Sequence, residues 1–447
     1  MKKQYDTMII GFGKAGKTLA AKLAKSGESV ALIEKSRQMY GGTCINVGCI
    51  PSKRLVNDGI RVPEGDFSVK ADYYRRVIEG KRALTAALRK ANYDKLIQAG
   101  VDVLDGTASF ADERHVEVFT EEGRLVLEGK KFIINTGAVP AIPPIPGIEG
   151  NGNVYVSETL MDREELPERL TVVGGGYIGL EFASMYARFG SRVTVVQHGN
   201  VFLPKEDEDV AEAIRSVLEA KGIEIITGAE TKEIKEGTLF YEKEGKIFEL
   251  KGDAILLATG RRPNTEGLHA EKAGIALTSR GGVSTDEHLR TSAENIWASG
   301  DVCGNLQFTY ISLDDSRIIL DDMKGEGRRT TENRGAFSYS VFINPPFARV
   351  GMNEKEAEAA HLDYRVLRLP AAAIPKAKVL RETEGMLKAL VTPDSRILGA
   401  QLLCAESPEM INFLKLAIDH NVKAADIGDF IFTHPTMSES LNDLFSL

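Results

Sequence analysis

Cysteine is scarce in this sequence, four among 447 residues, too few for a framework of structural disulfides. Long apolar runs are missing as well. Nothing approaches the roughly 18 consecutive apolar residues of a membrane-spanning helix. The basic start "MKKQYDTMIIGFGKAGK" is broken by glycine and lysine too early to be a signal-peptide core. A cytoplasmic protein with reduced thiols is therefore expected. Positive charge is not in excess: 56 Lys and Arg stand against 64 Asp and Glu, a net charge of -8. No basic stripe is present, so no nucleic-acid footprint is expected. The charge runs Lys14 to Lys25 and Arg75 to Lys90 alternate with apolar residues and read as solvated faces of amphipathic helices. A His-rich tract and a second close cysteine pair are also lacking, which removes the further ligands a structural metal site would need.

What the chain does have is an internal echo. "DTMIIGFGKAGKTLAAKLAKSGESVALIEK" reads as strand, glycine turn, amphipathic helix and second strand, with Gly11, Gly13 and Gly16 spaced as G-x-G-x-x-G. "RLTVVGGGYIGLEFASMYARFGSRVTVVQHG" repeats the plan with Gly174, Gly176 and Gly179. The first glycine makes the tight turn and the second lets the backbone approach a pyrophosphate. The third packs the helix closely on its strand, with the helix N-terminus facing the negative charge. Two such units predict two dinucleotide sites.

The residue closing each second strand sets what the site prefers. Glu34 lies 23 residues beyond Gly11, and the same offset from Gly174 reaches Gln197. An acid there bonds a free ribose hydroxyl and repels a 2′-phosphate, so the first site suits FAD or NAD. Gln197 and His198 lack that repulsion, which leaves NADPH, both nicotinamides, or looser binding of NADH as readings of the second site. Two further apolar strands are expected to end at Thr136-Gly137 and Thr259-Gly260, and a third at Gly300-Asp301. Asp301 stands where open α/β sheets bind ligands, or is simply a turn residue after glycine.

At 447 residues the chain is too long for a single core. The expected class is α/β: two Rossmann-like, three-layer ββα dinucleotide-binding domains and a C-terminal α+β domain. The family resemblance set out below implies boundaries of 1–150 and 266–335 for an FAD domain, 151–265 for an NAD(P)H domain and 336–447 for the last. In that last part "YSVFINPPFARVGM", "GMLKALV" and "ILGAQLLC" read as strands, followed by the helix "EMINFLKLAIDHN".

"GGTCINVGCIPSK" places Cys44 and Cys49 close together. A metal clip, a staple and a working redox pair are the three readings. The stretch leads into a helix, whose N-terminus lowers a thiol's pKa, and Gly48 gives the backbone room to bring the sulfurs together. Cys303 and Cys404 have no partner near in sequence and read as small buried hydrophobes.

With "GGTCINVGCIPSK", "GGGYIGLE", "TGRRPN", "GDV" and "HPTMSE" in that order, nearly the whole chain resembles the class I pyridine nucleotide–disulfide oxidoreductases. These are relatives of dihydrolipoamide dehydrogenase, glutathione reductase and mercuric reductase. "QFTYISLDDSRI" and "FTHPTMSESLNDLFSL" are similar to the bacterial reactive-chlorine-resistance flavoproteins, which reduce copper(II). The resemblance implies FAD at Gly11, Gly13, Gly16, Glu34, Gly42, Thr43, Lys53, Thr136, Gly137 and Asp301. It implies NADPH or NADH at Gly174, Gly176, Gly179, Gln197, His198 and Gly260. Cys49 would face the flavin as a thiolate and Cys44 would be the exposed thiol that meets the acceptor. His434 and Glu439 would form an acid–base dyad reaching the partner chain's cysteines in a homodimer, although a His before Pro is otherwise a turn residue. Lys53 and Glu181, otherwise ordinary helix-surface charges, would pair near the flavin.

The implied acceptor is copper(II) or mercuric ion, in defence against oxidants such as reactive chlorine. A substrate metal would be held by Cys44, Cys49 and His434. Met437 is either a core residue or a further soft ligand. Against mercuric reductase stand a start directly at the nucleotide fold and an end without a C-terminal cysteine pair. A dihydrolipoamide dehydrogenase or other disulfide reductase is the alternative, and a non-enzymatic redox sensor the different class.

Overall fold

The computed structural model describes residues 3–447. The chain divides into two compact units. The first takes the chain up to Leu55, Arg76–Ile142 and Gly260–Arg334, and the second takes Val56–Arg75, Pro143–Thr259 and Gly335–Leu447.

The first unit is built on a sheet in which Asp102–Asp105, Val30–Glu34, Lys3–Ile10 and Gly123–Ile134 run parallel in that order. His115–Thr120 pairs antiparallel with the early part of Gly123–Ile134, Thr107–Phe110 pairs antiparallel with His115–Thr120 in turn, and Ile296–Ala298 pairs in parallel with the end of Gly123–Ile134. Because side chains alternate across a strand, one segment feeds two cores. Ile9 and Leu32 pack with Ala15, Leu19 and Leu23 of the helix Lys14–Lys25. Met8, Ile10, Ala31 and Ile33 pack on the opposite face with Phe110, Val116 and Val118 of the antiparallel strands. Helix, parallel sheet and antiparallel layer give the expected three-layer ββα arrangement.

The second unit holds the echo. Glu224–Ile226, Arg192–Val196, Arg169–Val173, Ala254–Leu257 and Val154–Val156 form a parallel sheet. Its hydrogen bonding matches the first at the key turn: Gly11 N donates to Ile33 O and Gly174 N donates to Val196 O, both at 2.8 Å. Glu34 and Gln197 therefore occupy equivalent positions. Gly335–Leu447 adds a five-stranded antiparallel sheet in the order Ser338–Val341, Phe347–Gly351, Ile397–Leu403, Met386–Val391 and Arg365–Pro370. Its apolar face is covered by the helix Ser407–Asp419 through Met410, Ile411 and Leu414.

Several sequence expectations need correction. The strands expected to end at Thr-Gly and Gly-Asp stop earlier, at Ile134, Leu257 and Ala298. The backbone beyond Ile134 leaves the ladder, because Gly137 takes a positive φ of 74° that turns the chain. The stretch from Tyr339 to Met352 is two strands, since Pro345 and Pro346 cannot donate to a ladder. The strand Arg365–Pro370 and the antiparallel sheet of Glu230–Lys235, Thr238–Lys243 and Lys246–Lys251 were not expected.

Charge as well as apolar contact holds the second unit. Lys388, in the strand Met386–Val391, is fully buried. Its ammonium contacts Asp207 at 2.9 Å, Asp209 at 2.6 Å and the carboxylate of Glu354. Gln401 Nε2 donates to the same Asp207 oxygen, Oδ2, at 2.5 Å. No helix among the described residues is long and apolar enough to cross a membrane.

Candidate active site

The first glycine turn is shaped by close backbone approach. Gly11 has φ +105°, and a Cβ on it would lie 2.3 Å from Asn135 O. Gly174 repeats this with φ +114° and a Cβ 2.4 Å from Ala258 O. In both turns the third glycine passes directly over the first: a Cβ on Gly16 would meet Gly11 O at 2.5 Å, and one on Gly179 would meet Gly174 O at 2.0 Å. Helices start from Gly13 and Gly176, so each turn lies at the positive end of a helix.

Glu34 accepts from Phe12 N at 2.9 Å and Ser36 N at 3.2 Å, while burial pushes its carboxyl pKa up. Gln197 Oε1 stands over Gly175 in the equivalent place, 2.3 Å from where a Cβ would be. Its Nε2 donates to Gly199 O at 3.0 Å and Val201 O at 2.7 Å, so the amide also ties down its own loop. His198 is exposed beside it.

Asn135 was not anticipated as a site residue. Its Oδ1 accepts from Gly16 N at 2.9 Å and its Nδ2 donates to Ser299 O at 2.8 Å, joining the glycine turn to the segment that carries Asp301. Its place between a strand and Thr136-Gly137 was the available signal. The Thr136 hydroxyl donates to Asn264 O at 2.6 Å. Asp301 lies in the 3-10 turn Gly300–Cys303. Burial raises its pKa, with the Arg261 charge opposing. Gly42 comes so close to the first turn that a Cβ would stand 2.7 Å from Gly13 Cα. Thr43 begins the single-turn helix Thr43–Asn46 beyond it. These residues form a backbone-lined cradle that any larger side chain would fill, at a helix N-terminus and with an acid at the ribose position. It fits a dinucleotide with a free 2′-hydroxyl.

Cys44 lies in that short helix and Cys49 opens the helix Cys49–Gly59. Both are free thiols. Cys44 is partly covered and Cys49 more open. A Cβ on Gly48 would lie only 3.3 Å from Cys44 Cα, so glycine there lets the two turns close on each other. The two sulfurs share a hydrogen bond. That bond, the Thr309 hydroxyl and the Lys53 charge draw the Cys49 thiol down to about 6, against the opposing effect of burial. Cys44 is driven well up, by the same hydrogen bond first and then by burial and the neighbouring charge. Cys49 Sγ and Thr309 Oγ1 are 3.5 Å apart. Sequence reading quoted the stretch around Thr309 without giving that residue a role.

In the second unit, His434 Nδ1 and Glu439 Oε2 are 2.8 Å apart, with the imidazole largely exposed and the carboxylate mostly covered. Glu181 Oε1 accepts from Phe342 N at 2.9 Å. Met437 is fully buried among Leu441, Leu444 and Phe445, which makes it a core residue. Cys303 and Cys404 are buried as expected. Gly260 opens the last segment of the first unit, and its carbonyl accepts from Ala141 N at 2.9 Å.

The profile of the pyridine nucleotide-disulphide oxidoreductases matches residues 5–316, and that of their dimerisation domain matches residues 337–445. The probable pyridine nucleotide-disulfide oxidoreductase RclA of Escherichia coli (strain K12) is 49% identical over 446 residues, 99% of each chain. A mercuric reductase of Staphylococcus aureus is 32% identical over 98% of this chain and 81% of its own length. A structure described as the Cu(II) complex of the HOCl-induced flavoprotein disulfide reductase RclA from Escherichia coli superposes with a TM-score of 0.94. It is 48% identical and covers 100% of this chain and 99% of that one. With its two dinucleotide turns and its dimerisation domain, this chain belongs to the pyridine nucleotide–disulfide oxidoreductases, flavoenzymes that work with FAD and NAD(P)H.

Proposed function

We propose that this enzyme passes electrons from NAD(P)H through FAD to the Cys44–Cys49 pair and on to copper(II), in defence against reactive chlorine. The observation that carries this reading is the pair itself: adjacent thiols at a helix start, one drawn down to about 6 by its partner. The full-length likeness to an HOCl-induced flavoprotein reductase described as a copper(II) complex supports the acceptor. Bound FAD supplies the means to turn a hydride into reduction of the disulfide. Thereafter the thiols act. Two copper(II) ions each take one electron, the disulfide re-forms and two protons leave. Thiolate sulfur is a soft ligand that favours the copper(I) product, and in this reading His434, with Glu439 on its Nδ1, takes a proton.

Residues 1–150 and 266–335 hold FAD in this reading, 151–265 hold the nicotinamide, and 336–447 pair two chains so that His434 serves the partner's cysteines in the cytoplasm. Lys53 and Glu181 lie near the flavin. The test is a steady-state screen of purified enzyme against copper(II), mercuric ion, lipoamide, glutathione disulfide and oxygen. Copper(II) should give the highest kcat/KM, and a clear preference for lipoamide would replace this reading with that of a dihydrolipoamide dehydrogenase. The protein should purify yellow with about one FAD per chain. A colourless chain that FAD cannot reconstitute would contradict the assignment of the first cradle.

Nicotinamide choice is a separate prediction. Gln197→Glu places a carboxylate at the position equivalent to Glu34 and should shift the NADPH/NADH ratio of kcat/KM toward NADH. The expected size is about tenfold, on the order of 1–2 kcal/mol for one charged contact. An unchanged ratio would place selectivity elsewhere.

A further inference from the structure

The parallel sheet of the second unit has a second opening, at the end away from its glycine turn. A cleft of about 770 Å³ lies there, with Arg163, Arg169, Lys235 and Lys251 in its walls. Asn153 and Asp253 line it too, and they immediately precede the strands Val154–Val156 and Ala254–Leu257. Arg169 opens the strand Arg169–Val173. These strands are parallel, so the cleft sits at their N-terminal ends and Gly174 at the opposite end. The length of Arg169–Val173 sets the two apart by roughly 16 Å.

A tight hairpin builds one wall. Glu236 and Gly237, at φ 49° and 75°, make the two-residue turn that hairpins favour, with both central residues at positive φ. The turn pins Lys235 opposite Thr238, and the next strand brings Lys251 opposite Thr238 from the other side. Directly opposed residues share one face of a sheet, so two lysines flank one threonine in a row about 10 Å wide. Gly252 N closes this end by donating to Gly237 O at 2.9 Å. Like charges in one row repel, and among the described residues neither lysine has a hydrogen-bond or ion-pair partner.

The arginines of the cleft are held in place by one residue. Arg169 N and its guanidinium donate to the two carboxylate oxygens of Asp253 at 2.8 and 3.1 Å, and Arg163 Nη1 donates to Asp253 O at 2.9 Å. The Arg163 guanidinium also lies over the Tyr155 ring, 5.3 Å from its centre, and Glu165 stands 3.9 Å from its Nε. The Asn153 amide adds an uncharged donor, its Nδ2 3.2 Å from where a Cβ on Gly237 would be. Four cations thus share the lining with two carboxylates, Asp253 and Glu236. In a chain of net charge -8 that local excess is not background. Concave walls of one sign concentrate the field on whatever enters. We propose that this cleft is an anion site for a short chain of phosphates, separate from the dinucleotide turn. Guanidinium forks hold phosphate oxygens bidentately, and lysines act as point charges. A lone phosphate engages one wall, whereas linked phosphates span the lysine row and the arginines together.

The test is calorimetric titration of the FAD-loaded enzyme with inorganic tripolyphosphate at low salt, with excess NADP+ present to occupy the nicotinamide turn. Saturable binding of one tripolyphosphate per chain is expected. The double variant Lys235→Gln/Lys251→Gln should weaken it about tenfold or more, since it removes two charge-assisted contacts. Lys243→Gln/Lys246→Gln takes the same charge from the other end of the same strands and should leave the affinity within about twofold of the parent. All four lysines are surface positions of one sheet, and near-parent thermal unfolding midpoints will mark both variants as folded. No saturable binding up to about 10 mM overturns the proposal. So does equal weakening in the two double variants, because the attraction would then be one of net charge. Citrate binding as tightly as tripolyphosphate also overturns it, because the cleft would then be indifferent to phosphate.

Discussion

Replacing either cysteine of the pair by serine is expected to cut copper(II) reduction by on the order of a thousandfold or more, because a disulfide relay cannot run on one sulfur. The two variants should differ spectroscopically. Cys49 is the sulfur drawn down to about 6, so it is the thiolate to be seen as a long-wavelength absorbance beside the flavin. Cys49→Ser should lose that absorbance, since a hydroxyl stays protonated. Cys44→Ser should keep a thiolate and show the band without prior reduction. In the two-electron-reduced wild type the band should fade as pH drops through about 6, because the thiolate is present above that value and protonated below it. Both variants should retain FAD, since neither sulfur lies in the glycine cradle. Oxidation by oxygen directly from the flavin can survive in both. Stopped-flow spectra with acceptor turnover check all of this, and wild-type copper reduction by both variants would make the pair structural.

His434→Ala should lower kcat near pH 7 by about a hundredfold, within the usual range for one general acid–base group. Glu439→Gln should show a smaller loss, because the ring stays but its Nδ1 loses a carboxylate 2.8 Å away. A shared active site adds a sharper test. Mixed dimers of His434→Ala and Cys44→Ser chains contain one site with both groups intact, although each homodimer is inactive. Co-expression should recover about a quarter of wild-type activity if chains pair at random across a twofold interface. Recovery of none would put His434 in service of its own chain's cysteines, or of nothing.

The parts legible in the sequence are those where backbone geometry leaves few choices. Gly11 and Gly174 must turn where a Cβ would strike a carbonyl, so the motif, its helix and the offset to Glu34 and Gln197 follow one another along the chain. Cys44 and Cys49 were legible through close spacing ahead of a helix. Asn135 and Thr309 were not, because each matters through a partner that only the fold brings near. Asn135 meets Gly16 across 119 positions, and Thr309 meets Cys49 across 260. The charged strands Glu230–Lys235 and Lys246–Lys251 carry too little alternation to stand out from a solvated loop.

The buried ammonium of Lys388 bears on modularity. Its carboxylates come from Asp207 and Asp209, at the start of a helix in the nucleotide-binding sequence, and from Glu354 in the dimerisation domain. A profile boundary near residue 337 invites cutting the gene there and expressing the tail alone. The excised tail would keep the lysine and one of its three carboxylates, leaving a charge inside that water had no part in solvating. Removing a partner from such a cluster typically costs about 3–5 kcal/mol, a large share of what a domain that size has to spare. Lys388→Met should rescue a soluble, folded tail where the native fragment aggregates. Chimeras that exchange the tail between relatives should succeed only when the two aspartates travel with it.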